Sequence, residues 1–168
     1  MSKNIILRPV SPEEYGKVRE LAETVWPVCY KNILSPEQTA YMMDMMYSEN
    51  VIAAEVSARV NYCFVETDGE IAGYLAWEVL PDDPATAKLH KLYLLPAKHG
   101  CGIGSRAIQM VKQQAEISGC RTLRLNVNRQ NKNAIKCYTK NGFSVAHQEN
   151  NYIGNGFFMT DYVMEVSL

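Results

Sequence analysis

The chain has 168 residues, 47% of them hydrophobic and 21% charged, with a formal net charge of -1. That length holds one domain with a full core and is short for two, so residues 1–168 are read as a single domain. No basic excess points to nucleic acid, no apolar run is long enough to span a bilayer, and the stretch Met1–Arg8 has no apolar region of signal-peptide length.

Ile5-Ile-Leu-Arg-Pro9 reads as a first strand. Ser11-Pro-Glu-Glu14 follows as a capping box, with Ser11 at the N-cap, Pro12 at the first helical position and Glu14 two further on. The helix it opens places Val18, Leu21, Ala22 and Val25 on one face. Ser35-Pro36 starts a second helix through Met42, Met43 and Met46, and Val51–Val60 is a third. Tyr62–Glu66 and Ile71–Val79 are strands joined by Asp68-Gly69, a strong hairpin signal. Pro81-Asp-Asp-Pro84 is a turn, and Lys88–Leu95 a further strand. A helix over Gly102–Ser118 buries Ile108, Val111 and Ala115 and stops at Gly119. Arg121–Val127 alternates, with Leu123, Leu125 and Val127 on one face. A short helix, Asn131–Lys140, ends at Gly142. Phe143–Gln148 and Phe157–Val166 are the last strands, joined by a turn-rich Asn150–Gly156. The fold class is α/β (α+β), with a mixed, mostly antiparallel central sheet flanked by helices.

Five cysteines (29, 63, 101, 120 and 137) in no paired spacing argue for reduced thiols in a cytoplasmic protein, and three histidines without ligand spacing argue against a metal. The chemistry gathers instead at His99-Gly-Cys-Gly-Ile-Gly104, between a strand and a helix start. Its glycines leave N–H groups unshielded, and the first helical turn adds unpaired donors at the positive end of the helix dipole, which together suit phosphate. A Walker loop is excluded, because Ser105-Arg106 follows Gly104 where Lys and then Ser/Thr are required. Gly102-Ile-Gly-Ser-Arg-Ala107 fits G-x-G-x-x-A, which keeps a nucleotide-dependent oxidoreductase as an alternative. The following strand, however, ends at Asn126-Val-Asn128 without the acidic residue that would hold a ribose.

The stretch Leu92–Gly104 resembles the GCN5-related N-acetyltransferase family, whose loop signature Gln/Arg-x-x-Gly-x-Gly/Ala is occupied by His99, Gly102 and Gly104. The family's second signature, Asn-x-x-Ala-x-x-x-Tyr-x-x-x-Gly-Phe, is matched by Asn131, Ala134, Tyr138, Gly142 and Phe143. His99 departs from the usual Gln or Arg, and a neutral histidine contacts phosphate less strongly. The resemblance implies acetyl transfer from acetyl-CoA to an amine by direct attack. It implies cofactor contacts at Leu92, Leu94, His99, Gly100, Gly102, Ile103, Gly104, Ser105 and Asn131. It also implies that Tyr138 protonates or hydrogen-bonds the departing thiolate, and that the Leu92 amide supports the thioester oxygen. Assembly as a homodimer is a further expectation of the resemblance.

An aliphatic amine with a pKa near 10.4 is neutral in only about one molecule in a few thousand at pH 7, so a base is required. Two-residue periodicity puts His90 on the strand face of Leu92 and Leu94, and Glu78 near it on the neighbouring strand. The two form either a base assembly or a core histidine beside a solvated carboxylate. Arg106 faces a phosphate or water, while Cys101 and Cys137 are packing or incidental thiols. Trp26, Tyr30, Tyr41, Met42, Met43, Met45 and Met46 are core residues or walls of an acceptor cleft, with Glu37, Asp44 and Glu49 as acidic groups for a cationic amine. Thr160-Asp-Tyr-Val-Met164 looks loosely like polyamine-type acetyltransferases. The acceptor is a small-molecule amine, polyamine or amino-acid-like, or a peptide. A non-catalytic acyl-CoA-binding or sensor module is the alternative.

Overall fold

A computed structural model describes residues 4–168. Seven strands form one sheet: β1 (Ile5–Pro9), β2 (Asn61–Thr67), β3 (Glu70–Leu80), β4 (Asp83–Leu94), β5 (Thr122–Asn128), β6 (Ser144–Gly154) and β7 (Phe157–Ser167). Their order is β1-β2-β3-β4-β5-β7-β6, and every neighbouring pair is antiparallel except β4 and β5. Helices α1 (Tyr15–Cys29), α2 (Pro36–Tyr47) and α3 (Glu49–Ser57) cover one face, and α4 (Ile103–Ile117) and α5 (Lys132–Lys140) the other. Among the described residues no helix is long and apolar enough to cross a membrane.

Each face has its own core. On one, Ile103, Ala107, Ile108, Val111 and Ala115 of α4 pack on Leu75, Leu89, Leu123 and Leu125. Those helical positions follow a 3.6-residue period and the β5 positions a two-residue one, as expected from the sequence. Burying a leucine or isoleucine of this kind contributes about 1.5–3 kcal/mol. On the other face, Trp26, Tyr47, Tyr62, Phe64 and Tyr74 build an aromatic core with Val18, Met42 and Ile52. The strand alternation of β3 is masked because it is an interior strand, buried on both sides from Ala72 to Trp77. At Gly73 an added Cβ would lie 2.1 Å from the Tyr93 carbonyl oxygen, so glycine there lets β3 and the end of β4 approach closely.

The N-terminal turn departs from the expected helix start. Pro12–Glu14 forms a 3₁₀ turn in which the Ser11 amide donates to the Glu14 carboxylate at 3.2 Å, and α1 begins only at Tyr15. Arg8 pairs with both Glu14 and Glu66, which ties that turn to the sheet. Ser35 caps α2 as expected, accepting from the Gln38 amide at 3.1 Å. The third helix starts two residues earlier than the expected Val51, because Ser48 caps it by accepting from the Val51 amide at 3.3 Å.

Two loops of the sequence reading are strand. The turn at Pro81-Asp82 is tight, and β4 begins at Asp83, paired with Leu80. The polar Asn150–Gly154 extends β6 to a two-residue turn at Asn155-Gly156. A strand at the sheet edge with most of its side chains in water needs no apolar alternation, so composition alone read it as turn.

Candidate functional site

β4 and β5 pair only over Thr86–Leu89 and Thr122–Leu125. Beyond that point the two parallel strands diverge, and the split opens the middle of the sheet. The Leu95 amide donates to the Ala72 carbonyl at 2.8 Å, toward β3. Antiparallel alternation then turns the N–H groups of Leu92 and Leu94 the other way, toward the split, where no strand meets them. The Leu92 and Leu94 side chains pack into the core beneath α4 and α5. What they offer the split is backbone.

The loop from Leu95 to α4 contains a 3₁₀ turn (Pro96–Lys98), then Gly100 at φ 74° and Gly102 at φ 77°. Gly102 caps α4, and the Arg106 amide closes the first turn on its carbonyl at 3.1 Å. The N–H groups of Ile103, Gly104 and Ser105 therefore have no intrahelical acceptor and point out of the helix end. An added Cβ at Gly100 or Gly102 would meet nothing within 4 Å, so the loop surface is open to a ligand. His99 is exposed, and its Nε2–H donates to the Leu94 carbonyl at 2.9 Å. A neutral imidazole has one N–H, and here it is spent on β4, not offered across the loop. Arg106 is exposed at the same helix end, and the Ser105 hydroxyl accepts from Asn141 Nδ2 at 3.1 Å.

Asn131 is the N-cap of α5: its Oδ1 accepts from the Ala134 amide at 3.3 Å, and its Nδ2 lies 3.6 Å from Cys29 Sγ. That contact ties the end of α1 to the start of α5. Tyr138, two turns along α5, stacks edge-on against Phe143 and packs on the core that contains Leu92 and Leu94. Among the described residues nothing hydrogen-bonds its hydroxyl. Burial, then the neighbouring Cys137 and Cys29, push its proton affinity well above the usual phenol range.

On the other sheet face the split leads into a cavity of about 70 Å³ between α1, α2 and strands β4, β5 and β7. A water molecule takes up about 10–15 Å³ of such space, so the cavity holds several heavy atoms. Its walls include Trp26, Tyr30 and Tyr93 on one side, and Met42, Met46 and Met159 on another. The Tyr30 and Tyr93 hydroxyls are 2.8 Å apart. Gln38 Nε2 donates to the Phe158 carbonyl at 2.7 Å and Tyr41 to the Ile153 carbonyl at 2.6 Å, which fastens α2 over the β6–β7 hairpin.

His90 lines this cavity, which corrects the expected placement on the face of Leu92 and Leu94. Lys91 pairs with Ala76 and Leu89 with Trp77, so His90 has no partner on β3 and forms a β-bulge. The extra residue reverses the alternation: Leu89, Leu92 and Leu94 share one face, and His90 turns to the aromatic side. The Glu78 carboxylate is 3.6 Å from His90 Nε2, too long for a hydrogen bond, and that nitrogen has no other protein partner. Burial, then the charges of Lys88 and Lys91, lower the His90 pKa to about 4. Burial, then Glu55, raise that of Glu78 against a smaller opposing effect of Lys88. Both groups are pushed toward neutrality. Lys91, 5% exposed, is held by the Tyr62 hydroxyl at 2.9 Å and by the rings of Tyr47 and Tyr62.

The acidic residues expected at an acceptor cleft lie elsewhere. Glu37, Asp44 and Glu49 are exposed, and Asp44 pairs with Arg19 at 2.6 Å. The carboxylate in the cavity wall belongs to Asp161, which is 4% exposed. Its signal was present in the sequence: in Met159-Thr-Asp-Tyr-Val163 it occupies the inward position between two apolar residues of one strand face.

The displaced His90 pKa makes a stability prediction. An unfolded histidine titrates near 6.5, so between pH 6.5 and 4 the unfolded chain binds the extra proton and folding weakens as pH falls. From pH 7.5 to 5 this one residue is expected to remove about 2 kcal/mol. Urea unfolding of His90→Gln at both pH values should show a loss smaller by that amount. Parallel pH dependence in the two proteins would show that His90 titrates normally.

Comparison with known proteins identifies the family. A family model described as Acetyltransferase (GNAT) family matches residues 18–143. The chain is 26% identical over 161 residues to the spermidine N(1)-acetyltransferase of Thermoplasma acidophilum, covering 93% of this chain and 96% of that protein. It is 29% identical over 143 residues to an uncharacterized N-acetyltransferase of Mycobacterium tuberculosis, covering 79% and 90%. Among solved structures, the PaiA N-acetyltransferase of Thermoplasma acidophilum in complex with coenzyme A superposes with a TM-score of 0.81 at 24% identity, over 98% of this chain and 99% of that one. The acetyltransferase YncA of Salmonella typhimurium with acetyl-CoA gives 0.70 at 18% identity, over 98% and 94%.

Proposed function

Because this chain belongs to the acetyltransferase (GNAT) family and is an acetyl-CoA-dependent N-acetyltransferase, we propose that it acetylates a primary amine of a small molecule, and that the split between β4 and β5 is where transfer occurs. The observation that carries this reading is the meeting of three features at one opening. They are the strand-edge amides of Leu92 and Leu94, the unbonded hydroxyl of Tyr138, and a cavity lined by His90 on the far side.

The residues fit the donor. The N–H groups of Ile103, Gly104 and Ser105, with the open glycines at 100 and 102, form a cradle for a pyrophosphate, and Leu94 N–H and Asn131 border the path of a pantetheine arm. Acetyl-CoA supplies the acetyl group as a thioester, with a thiolate that must be stabilised as it leaves. Leu92 N–H is the donor for the thioester oxygen as charge gathers there. Tyr138 Oη–H would donate to the departing thiolate, and its raised proton affinity would keep it protonated until then. On the acceptor side, His90 Nε2 has no protein partner and would accept the proton that the attacking nitrogen sheds as its bond to the acetyl carbon forms, with the Glu78 carboxyl 3.6 Å away. The similarity to a spermidine N(1)-acetyltransferase supports an aliphatic amine as acceptor.

The test is release of coenzyme A thiol from acetyl-CoA, with and without spermidine, free amino acids, an aminoglycoside and short peptides. Release that depends on a small amine is the expected result. Stabilisation by acetyl-CoA with no release for any small amine would overturn the acceptor assignment in favour of a protein acceptor or a sensor.

A further inference from the structure

We propose that Asp161 holds an ammonium group that the acceptor keeps throughout the reaction, so that the acceptor is a di- or polyamine on a slender aliphatic stem. The proposal rests on the N-acetyltransferase reading above and adds what the cavity selects.

A buried carboxylate without a cation is costly, and such groups are normally paired or hydrogen-bonded. Asp161 is 4% exposed, and its one hydrogen-bonding neighbour is Asn126 Nδ2, at a long 3.4 Å. Among the described residues no cation lies within ion-pair distance of it. Arg129 donates instead to Gln148 at 2.9 Å and Asn150 at 2.7 Å. Carboxylate oxygens accept about four hydrogen bonds between them, so most of the capacity of Asp161 is unspent. The cavity it lines suits an organic cation: Trp26, Tyr30 and Tyr93 offer ring faces or edges, Met42 and Met159 offer polarizable sulfur, and no cationic side chain is among its walls.

The same cavity contains His90, whose free Nε2 is the proton acceptor of the proposed mechanism. These two groups ask for opposite things. The amine that attacks must lose its proton, whereas a carboxylate stabilises an ammonium and so opposes that loss. One cavity with both therefore fits an acceptor with two amino groups, one at each. No lysine or arginine lines it, so an α-carboxylate would lack a counter-charge there. The cations Lys31, Arg129 and Lys132 border a different hollow, outside this cavity.

The experiment compares 1,4-diaminobutane with n-butylamine, which have the same stem with and without the second ammonium, in the parent protein and in Asp161→Asn. The parent is expected to favour the diamine by at least tenfold in kcat/KM. In Asp161→Asn that preference should collapse through KM for the diamine, with KM for acetyl-CoA unchanged. Removing a buried, weakly bonded carboxylate should leave Tm unchanged or raise it, whereas a structural role would lower Tm and slow both amines alike. Equal use of the two amines by the parent, a preference that survives the substitution, or a preference for free amino acids would overturn the proposal. Calorimetry of diamine binding to the coenzyme A-loaded protein separates this from the reaction itself. If neither amine turns over but the diamine binds and Asp161→Asn abolishes binding, the assignment of Asp161 stands while the acetyl-transfer reading falls. No binding to the parent would overturn it.

Discussion

Replacing Tyr138 by phenylalanine is expected to lower kcat by about 10²–10⁴-fold, the range of a placed general acid, while KM for acetyl-CoA changes little. The structure makes this a clean deletion. The Tyr138 ring carries the packing, edge-on to Phe143 with centroids 5.7 Å apart, and phenylalanine keeps that ring. The hydroxyl holds nothing in place, since among the described residues no protein group bonds it. In the proposed mechanism what is lost is the proton donor to the departing thiolate, an interaction made more strongly in the transition state than in the bound substrates. The check is steady-state kinetics alongside the acetyl-CoA-induced rise in Tm. A kcat within threefold of the parent would remove Tyr138 from the mechanism. A matching loss of acetyl-CoA affinity would make it a binding residue instead.

The parts of the site most legible in the sequence were those set by local rules. Gly102 at positive φ ahead of α4, Asn131 capping α5 and the alternating leucines of β5 are each dictated by neighbours within a few residues, so spacing alone reveals them. His90 was misplaced because a bulge is a property of two paired strands: nothing within Lys88–Leu92 shows that β3 matches four residues of β4 with three of its own. Glu78 still lies 3.6 Å from His90, because the bulge turns His90 to the face that Glu78 already occupies. His99 shows a different limit. Its position in the signature was plain, but its bond to the Leu94 carbonyl depends on how the loop folds back over β4. Asp161 stands within Thr160–Met164, but the cavity it shares with Trp26, Tyr30 and Tyr93 is assembled from distant segments. Long-range placement, not residue type, was the missing information.

Gly104→Val is expected to abolish acetyl-CoA binding, with affinity at least 100-fold weaker and no ligand-induced rise in Tm, while the protein itself stays folded. Gly104 sits in the first turn of α4 at an ordinary helical φ. A Cβ there would meet Leu94 Cδ1 at 3.7 Å and Cys137 Sγ at 4.0 Å, which is normal contact. Valine also has a better helix propensity than glycine, so the unliganded fold should lose no stability. The added methyl groups would instead stand in front of N–H donors that have no partner within the helix. A hydrogen bond to a charged group is worth about 1.5–3 kcal/mol, so blocking two such bonds accounts for a loss of this size. Gly102→Val is a poorer probe, because φ 77° strains any side chain by about 1–2 kcal/mol and would mix a folding defect with a binding one. Ligand-dependent melting of Gly104→Val therefore tests the cradle alone. An unchanged acetyl-CoA shift would mean that the phosphates bind elsewhere and that the open end of α4 is only a helix terminus. A lost shift with an intact unliganded Tm would fix the donor's diphosphate end at this loop, and with it the direction from which the thioester reaches Leu92 and Tyr138.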